Sequence, residues 1–187
     1  MHQRTQQHSD QQKSKKTLII PKKIQNFSIW KVLSKLKLKS LATLGPVGFF
    51  PKGSGTVGSL VALPLAYCLG QIFMPLLWIA TIALYFLGIA AIDQYTKNKE
   101  EKDPRCVIID EVVGQMTTFC IVIPGFLHWP ILLLGFLLFR LFDVVKFGSV
   151  AMWDQQKRPL GVMMDDVMAG LQSAFILGLI QIIYILT

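Results

Sequence analysis

The chain has 187 residues, which by a prior of roughly 150 residues per domain argues for one domain. It is 52% hydrophobic and 16% charged, with a mean hydropathy of +0.49, against about 25% charge in an average soluble domain. Disorder and an ordinary soluble enzyme are therefore poor readings of the whole, and with aperiodic glycine and three scattered cysteines so are collagen-like and disulfide scaffolds.

The N-terminal third is the basic part. Residues 1–52 hold eleven of the 19 basic residues and a single acid, Asp10, while the remainder is slightly acidic. A nucleic-acid binder also carries basic stretches, but this block abuts a hydrophobic body. No nucleic acid is expected; the block reads as a cytoplasmic segment facing anionic lipid. Residues 1–26, rich in Gln, Lys, Ser and Thr, read as a disordered tail. Ile29, Val32, Leu33 and Leu36 then recur at helical spacing, with Lys31, Lys35 and Lys39 on another face, the pattern of an interfacial amphipathic helix. No secretory signal is expected, because the first apolar run of helical length starts after residue 52. Residues 1–43 are thus a basic, partly disordered tail and 44–187 a membrane domain.

From Gly53 to Ile92 no Asp, Glu, Lys or Arg occurs, room for two spans of about 20 residues broken at Phe73-Met74-Pro75. Asp93 to Arg105 is a polar loop. Val112 to Phe139 is again charge-free, and Pro124-Gly125 through Trp129-Pro130 divides it into helices at about 107–123 and 130–147. Ser149 to Gly161 is a second polar loop, and Val167 to Thr187 is the last span. The positive-inside rule places the N-terminus and the 93–106 and 148–164 loops in the cytoplasm. The expected fold is all-α: a polytopic membrane bundle of about five helices, N-terminus in and C-terminus out.

This topology gathers the acids. Asp110 and Glu111 begin the third helix, Asp143 lies near the end of the fourth, and Asp165 and Asp166 begin the fifth, all at cytoplasmic helix ends. Arg140, Asp143 and Lys146, three apart, share a broad helix face. Pro51-Lys52-Gly53-Ser54-Gly55-Thr56-Val57-Gly58-Ser59 opens the first span, with glycines able to offer backbone amides to an anion at a helix N-terminus. Carboxylates, cations and a Gly/Ser/Thr loop at one aqueous boundary suit phosphate chemistry. Hard oxygen ligands hold Mg²⁺, and Lys and Arg neutralise the charge that remains. Each feature also has a plainer reading. Acids at helix N-termini serve as caps, Arg140 and Asp143 can form an internal ion pair, and small residues allow close helix packing. Cysteine and aspartyl-phosphate mechanisms lack their motifs, and His2, His8 and His128 are too scattered for a histidine nucleophile or a transition-metal site. A carboxylate–Mg²⁺ site survives. A small cation carrier or channel using the same acids is the alternative, and it expects them near the bilayer midplane.

Four motifs in order, Leu44-Gly45-Pro46-Val47-Gly48-Phe49-Phe50-Pro51-Lys52-Gly53-Ser54-Gly55-Thr56-Val57-Gly58-Ser59-Leu60, Ile109-Asp110-Glu111-Val112-Val113-Gly114, Phe139-Arg140-Leu141-Phe142-Asp143-Val144-Val145-Lys146 and Gly161-Val162-Met163-Met164-Asp165-Asp166-Val167-Met168-Ala169-Gly170, resemble the bacterial phosphatidylglycerophosphatase A family from about residue 44 onward. The resemblance implies a Mg²⁺-dependent phosphatase of the inner membrane that converts phosphatidylglycerophosphate, a membrane phospholipid, to phosphatidylglycerol. Asp110, Glu111, Asp143, Asp165 and Asp166 are then the metal-binding and water-activating set. Lys52, Gly55, Thr56, Ser59, Arg140 and Lys146 would receive the phosphate.

The topology is checked by labelling engineered cysteines in intact cells. Positions 98 and 157 should react only from the cytoplasm and position 187 from outside; cytoplasmic labelling at 187 would contradict the five-helix reading.

Overall fold

The structure is a computed structural model, and it describes residues 38–187 except 100, 102, 103, 124 and 157. The basic tail and most of the amphipathic stretch lie outside the described residues. Within them the chain is all-helical, with seven α-helices and no strand: α1 (Lys39–Ala42), α2 (Ser54–Ile72), α3 (Met74–Thr96), α4 (Ile109–Phe119), α5 (Trp129–Val145), α6 (Ser149–Asp154) and α7 (Pro159–Leu186), with a 3-10 turn at Val47–Phe49.

The α2–α3 hairpin follows from the charge-free run. Phe73 is extended (φ −171°) and Pro75 sits in the first turn of α3, so the helix stops and restarts where the sequence breaks. α3 runs past the expected end at residue 92, carrying Asp93 and Gln94 into its last turn. There the Leu38 amide donates to Gln94 Oε1 (3.1 Å). Residues 38–43, expected to belong to the tail, pack against the bundle: Ala42 and Thr43 are buried, and the Ile108 amide donates to the Ala42 carbonyl (2.9 Å).

α7 departs most from expectation. It begins at Pro159, inside the stretch that polarity marks as loop, and Gly161, Val162 and Met163 of its first turns are buried. Proline in the first turn loses no helical hydrogen bond, so Lys157-Arg158-Pro159 precedes a helix instead of prolonging a loop. α6 forms in that same polar stretch because Val150 packs with Phe139 and Ala169. The five expected helices are all present, with the short α1 and α6 added.

α2, α3 and α7, of 19, 23 and 28 residues, are long and apolar enough to cross a membrane; α4 and α5 are shorter. Their outward residues, such as Leu65, Ile79, Ile82, Phe86, Leu137, Phe175 and Ile183, are exposed, whereas Ser59, Thr81, Thr118 and Ser173 are buried and return their hydroxyls to the carbonyl four residues back. Apolar outside and satisfied polar inside is how a bundle meets lipid. This is a helical membrane protein. The alternation of helix directions leaves the charged side chains of α2–α7 at one end of the bundle, and the Tyr67–Trp129 stack (5.7 Å) and the Phe126–Tyr184 contact near the other.

α4 lies in the centre, packed against α7, α2, α3 and α5, with nine of its eleven residues buried. Its crossing with α7 is backbone on backbone. A Cβ on Gly170 would run into the Gly114 carbonyl, and one on Gly114 would lie 2.6 Å from the Asp166 carbonyl oxygen. Backbone cannot yield as a side-chain tip can. Gly170→Val should therefore destabilise the bundle by about 3 kcal/mol in denaturant titrations in detergent. Gly178→Ala, which meets only the Ile121 tip at 3.3 Å, should change it by less than about 1 kcal/mol.

Candidate active site

The α4–α7 crossing sets Asp110 and Glu111, in the first turn of α4, beside Asp165 and Asp166 of α7. Asp110, Asp165 and Asp166 are 5%, 8% and 4% exposed. The partial positive charge at the N-terminus of α4 favours its two acids there, although Ile108, at the cap position, makes no side-chain cap bond. Asp165 and Asp166 are the seventh and eighth residues of α7, beyond its first turn, so neither caps it. Their burial has to be accounted for by something other than capping.

With α2 and α5 these helices enclose a cavity of about 420 Å³. Gly55 and Thr56 of α2 line it, as do Arg140, Asp143 and Lys146 and all four acids of α4 and α7. Gly53, left-handed at φ 72°, turns the chain into α2. Gly55 lies directly against the Glu111 carboxylate, which a Cβ there would displace; the glycine both lines the cavity and permits the close approach of α2 to α4. Two expected phosphate ligands lie elsewhere. Lys52 is exposed and does not line the cavity. Ser59 is fully buried and donates to the Gly55 carbonyl at 3.0 Å, so its hydroxyl is used within the helix.

Arg140 Nη1 meets Asp143 Oδ2 at 2.6 Å, and the pair faces the cavity, so the ion-pair reading and a role in the site are compatible. Lys146 ends α5 in a left-handed conformation (φ 51°), and its ammonium bridges Asp165 Oδ2 (2.9 Å) and Asp154 Oδ1 (2.8 Å). Burial works against its charge, but the hydrogen bonds to Asp154 and Asp165 outweigh it and raise its pKa above that of an ordinary lysine. Burial, and next the Asp110 carboxylate, hold the Glu111 carboxyl well above the usual range.

The donor set suits a hard divalent cation. One carboxylate oxygen from each of Asp110, Glu111 and Asp166 lies within 4.8 Å of the others. Glu111 Oε2 is buried without a hydrogen-bond partner, an arrangement that costs free energy until a proton or a cation neutralises the group. Gln115, one turn along α4, is buried with both amide atoms unpartnered. Sequence reading missed Gln115, Asp154 and the lining residues Glu101 and Arg105. Helical spacing from Glu111 could have flagged Gln115; Asp154 carried no signal while its segment read as loop.

A membrane bundle with a buried carboxylate cluster beside Arg and Lys at one end has the make-up of a membrane protein that handles phosphate esters. The family model described as phosphatidylglycerophosphatase A matches residues 40–181. A Bacteroides thetaiotaomicron protein provisionally named phosphatidylinositol-3-phosphatase is 34% identical over 137 residues, 70% of this chain and 85% of the relative. Phosphatidylglycerophosphatase A of Escherichia coli is 29% identical over 149 residues, 77% and 86% of the two chains, and that of Haemophilus influenzae 28% over 155 residues, 77% and 94%. No solved structure matches the chain significantly. The chain belongs to the phosphatidylglycerophosphatase A family, and it is a phosphatase.

Asp154 does not line the cavity but holds Lys146, which does. Asp154→Asn should lower kcat/KM about tenfold, or about 1.4 kcal/mol, in a phosphate-release assay, while Asp154→Glu, which keeps the charge, should recover most of it.

Proposed function

We propose that the protein is a Mg²⁺-dependent lipid phosphate phosphatase that hydrolyses phosphatidylglycerophosphate to phosphatidylglycerol and inorganic phosphate. The observation that carries this reading is the clustering of Asp110, Glu111 and Asp166 in the same cavity as Arg140 and Lys146. Family membership and two relatives named for that activity support it; the relative named for a phosphoinositide makes the headgroup the point to test. In a bacterial inner membrane crossed several times, the basic N-terminal segment would lie on anionic lipid and turn the cavity toward the cytoplasm.

In this mechanism Asp110, Glu111 and Asp166 would hold the metal, with Asp143 and Asp165 completing the acidic set. Bound there, Mg²⁺ would supply Lewis-acid polarisation of the phosphoryl group and a more acidic water. Arg140 and Lys146, pre-oriented by Asp143, Asp154 and Asp165, exchange part of that pairing for phosphate oxygens. The α2 amides at Gly55 and Thr56 lie at a helix N-terminus, where an anion is favoured. A cavity carboxylate takes the proton of the attacking water as the new P–O bond forms. The bond from phosphorus to the glycerol oxygen breaks, that oxygen takes a proton from solvent water at the mouth of the cavity, and the carboxyl returns its own proton to solvent. The carrier alternative expects acids at mid-bilayer; here they lie at one end of the bundle beside cations.

The test is phosphate release from phosphatidylglycerophosphate in mixed micelles, with and without Mg²⁺, against phosphatidylinositol 3-phosphate. Release should require Mg²⁺ and favour the first lipid. Asp143→Asn and Asp166→Asn should each lose at least ~100-fold in rate. The double variant should lose far less than the product, since both act in one unit. Asp10→Asn should change nothing. Wild-type rates in both site variants would return these acids to a structural role.

A further inference from the structure

A second cavity, of about 460 Å³, lies on the outer face of the bundle between the end of α5 and the middle of α7. Phe142, Phe147, Met168, Leu171 and Phe175 line it, with Gln172 as a polar exception. We propose that this groove seats an acyl chain of the phospholipid monoester whose phosphate enters the carboxylate cavity. The inference rests on the lipid phosphatase reading and adds where the substrate's apolar part lies.

Continuity carries it. Phe142 precedes Asp143, Phe147 follows Lys146, and Met168 lies one helical turn beyond Asp165, so the rim of the groove and the wall of the polar cavity are the same stretches of α5 and α7. The left-handed Lys146 lies where the two separate: its ammonium lines the polar cavity, and the next residue, Phe147, lines the groove. Gln172 secures that corner from α7, its Nε2 donating to the Phe147 carbonyl (3.1 Å) and to Ser149 Oγ (3.2 Å). Phe139, Val150 and Ala169 pack behind Phe142 and Met168, so the floor is fixed core. Met168 to Phe175 extends about 10 Å along α7, enough for the upper part of an acyl chain. The two ends match the two parts of a lipid monoester. Arg140 and Lys146 stand at the polar end for a phosphate, and no charged side chain lines the groove.

The experiment uses the full chain in lipid nanodiscs with a diazirine in the acyl chain of two probes, phosphatidic acid as a phosphomonoester and phosphatidylcholine as a lipid without one. Phosphatidic acid should label residues 168–176 well above phosphatidylcholine, and excess glycerol phosphate should reduce the difference. Equal labelling by both probes, at the density found on the outer faces of α2 and α3, would reduce the groove to ordinary lipid contact and overturn the proposal. Labelling requires no turnover, so it reads the groove even if the substrate assignment fails. A second arm compares phosphatidylglycerophosphate with long and with six-carbon chains. Phe175→Trp, which fills the groove, should lower the long-to-short ratio of kcat/KM about tenfold, because binding of a remote part of the substrate is what it removes. An unchanged ratio, whether both rates fall together or neither falls, overturns the proposal.

Discussion

Where α4 crosses α7, Gly114 and Gly170 bring the two backbones into contact, and the geometry of the polar end depends on that approach. A side chain at either position would hold the helices apart and move Asp110 and Glu111 away from Asp165 and Asp166. α4 is too short to be a conventional span, and its burial on nearly all sides is what fixes its first turn. The small residues thus do more than let helices pack: they bring negative charges together that would separate if left to themselves.

That arrangement has an electrostatic consequence. The cavity is lined by six carboxylates, including Glu101, against the three cations Arg105, Arg140 and Lys146. Arg140 and Lys146 already have carboxylate partners. A phosphate monoester entering such a cavity alone meets an excess of carboxyl groups and cations whose charge is already paired. The proposed divalent cation on the carboxylates would change that balance and free the paired Arg and Lys for an anion without leaving bare charges behind. The protein's contribution is to hold the donors in place before the ligands arrive.

Much of this was legible in the sequence because charge and hydrophobicity are local properties. The charge-free run and its break at Phe73 located α2 and α3, and the alternation of helix directions brought Asp110, Glu111, Asp143, Asp165 and Asp166 to one end. Polarity failed where it was used as a proxy for loop. Lys157, Arg158 and Pro159 read as connection, yet proline begins a helix well, so the start of α7 lay earlier than expected and Asp165 and Asp166 moved out of the capping position. α6 and the Lys146–Asp154 pair were lost with that loop. The family resemblance implied Lys52 and Ser59 as phosphate ligands, but the pitch of α2 turns Ser59 into the bundle, and Lys52, before the helix begins, lies exposed. Gly114 and Gly170 could be quoted within motifs; that they meet is a tertiary fact.

Asp110, Glu111 and Asp166 are proposed to share one divalent cation. Thermal unfolding of the detergent-solubilised full chain, titrated with Mg²⁺, tests it without reference to turnover. A ligand that binds only the folded state raises stability as its concentration passes the dissociation constant. Wild type should show a saturable rise in Tm, and Glu111→Gln combined with Asp166→Asn should show none. An equal rise in both proteins would place the cation elsewhere and contradict the account.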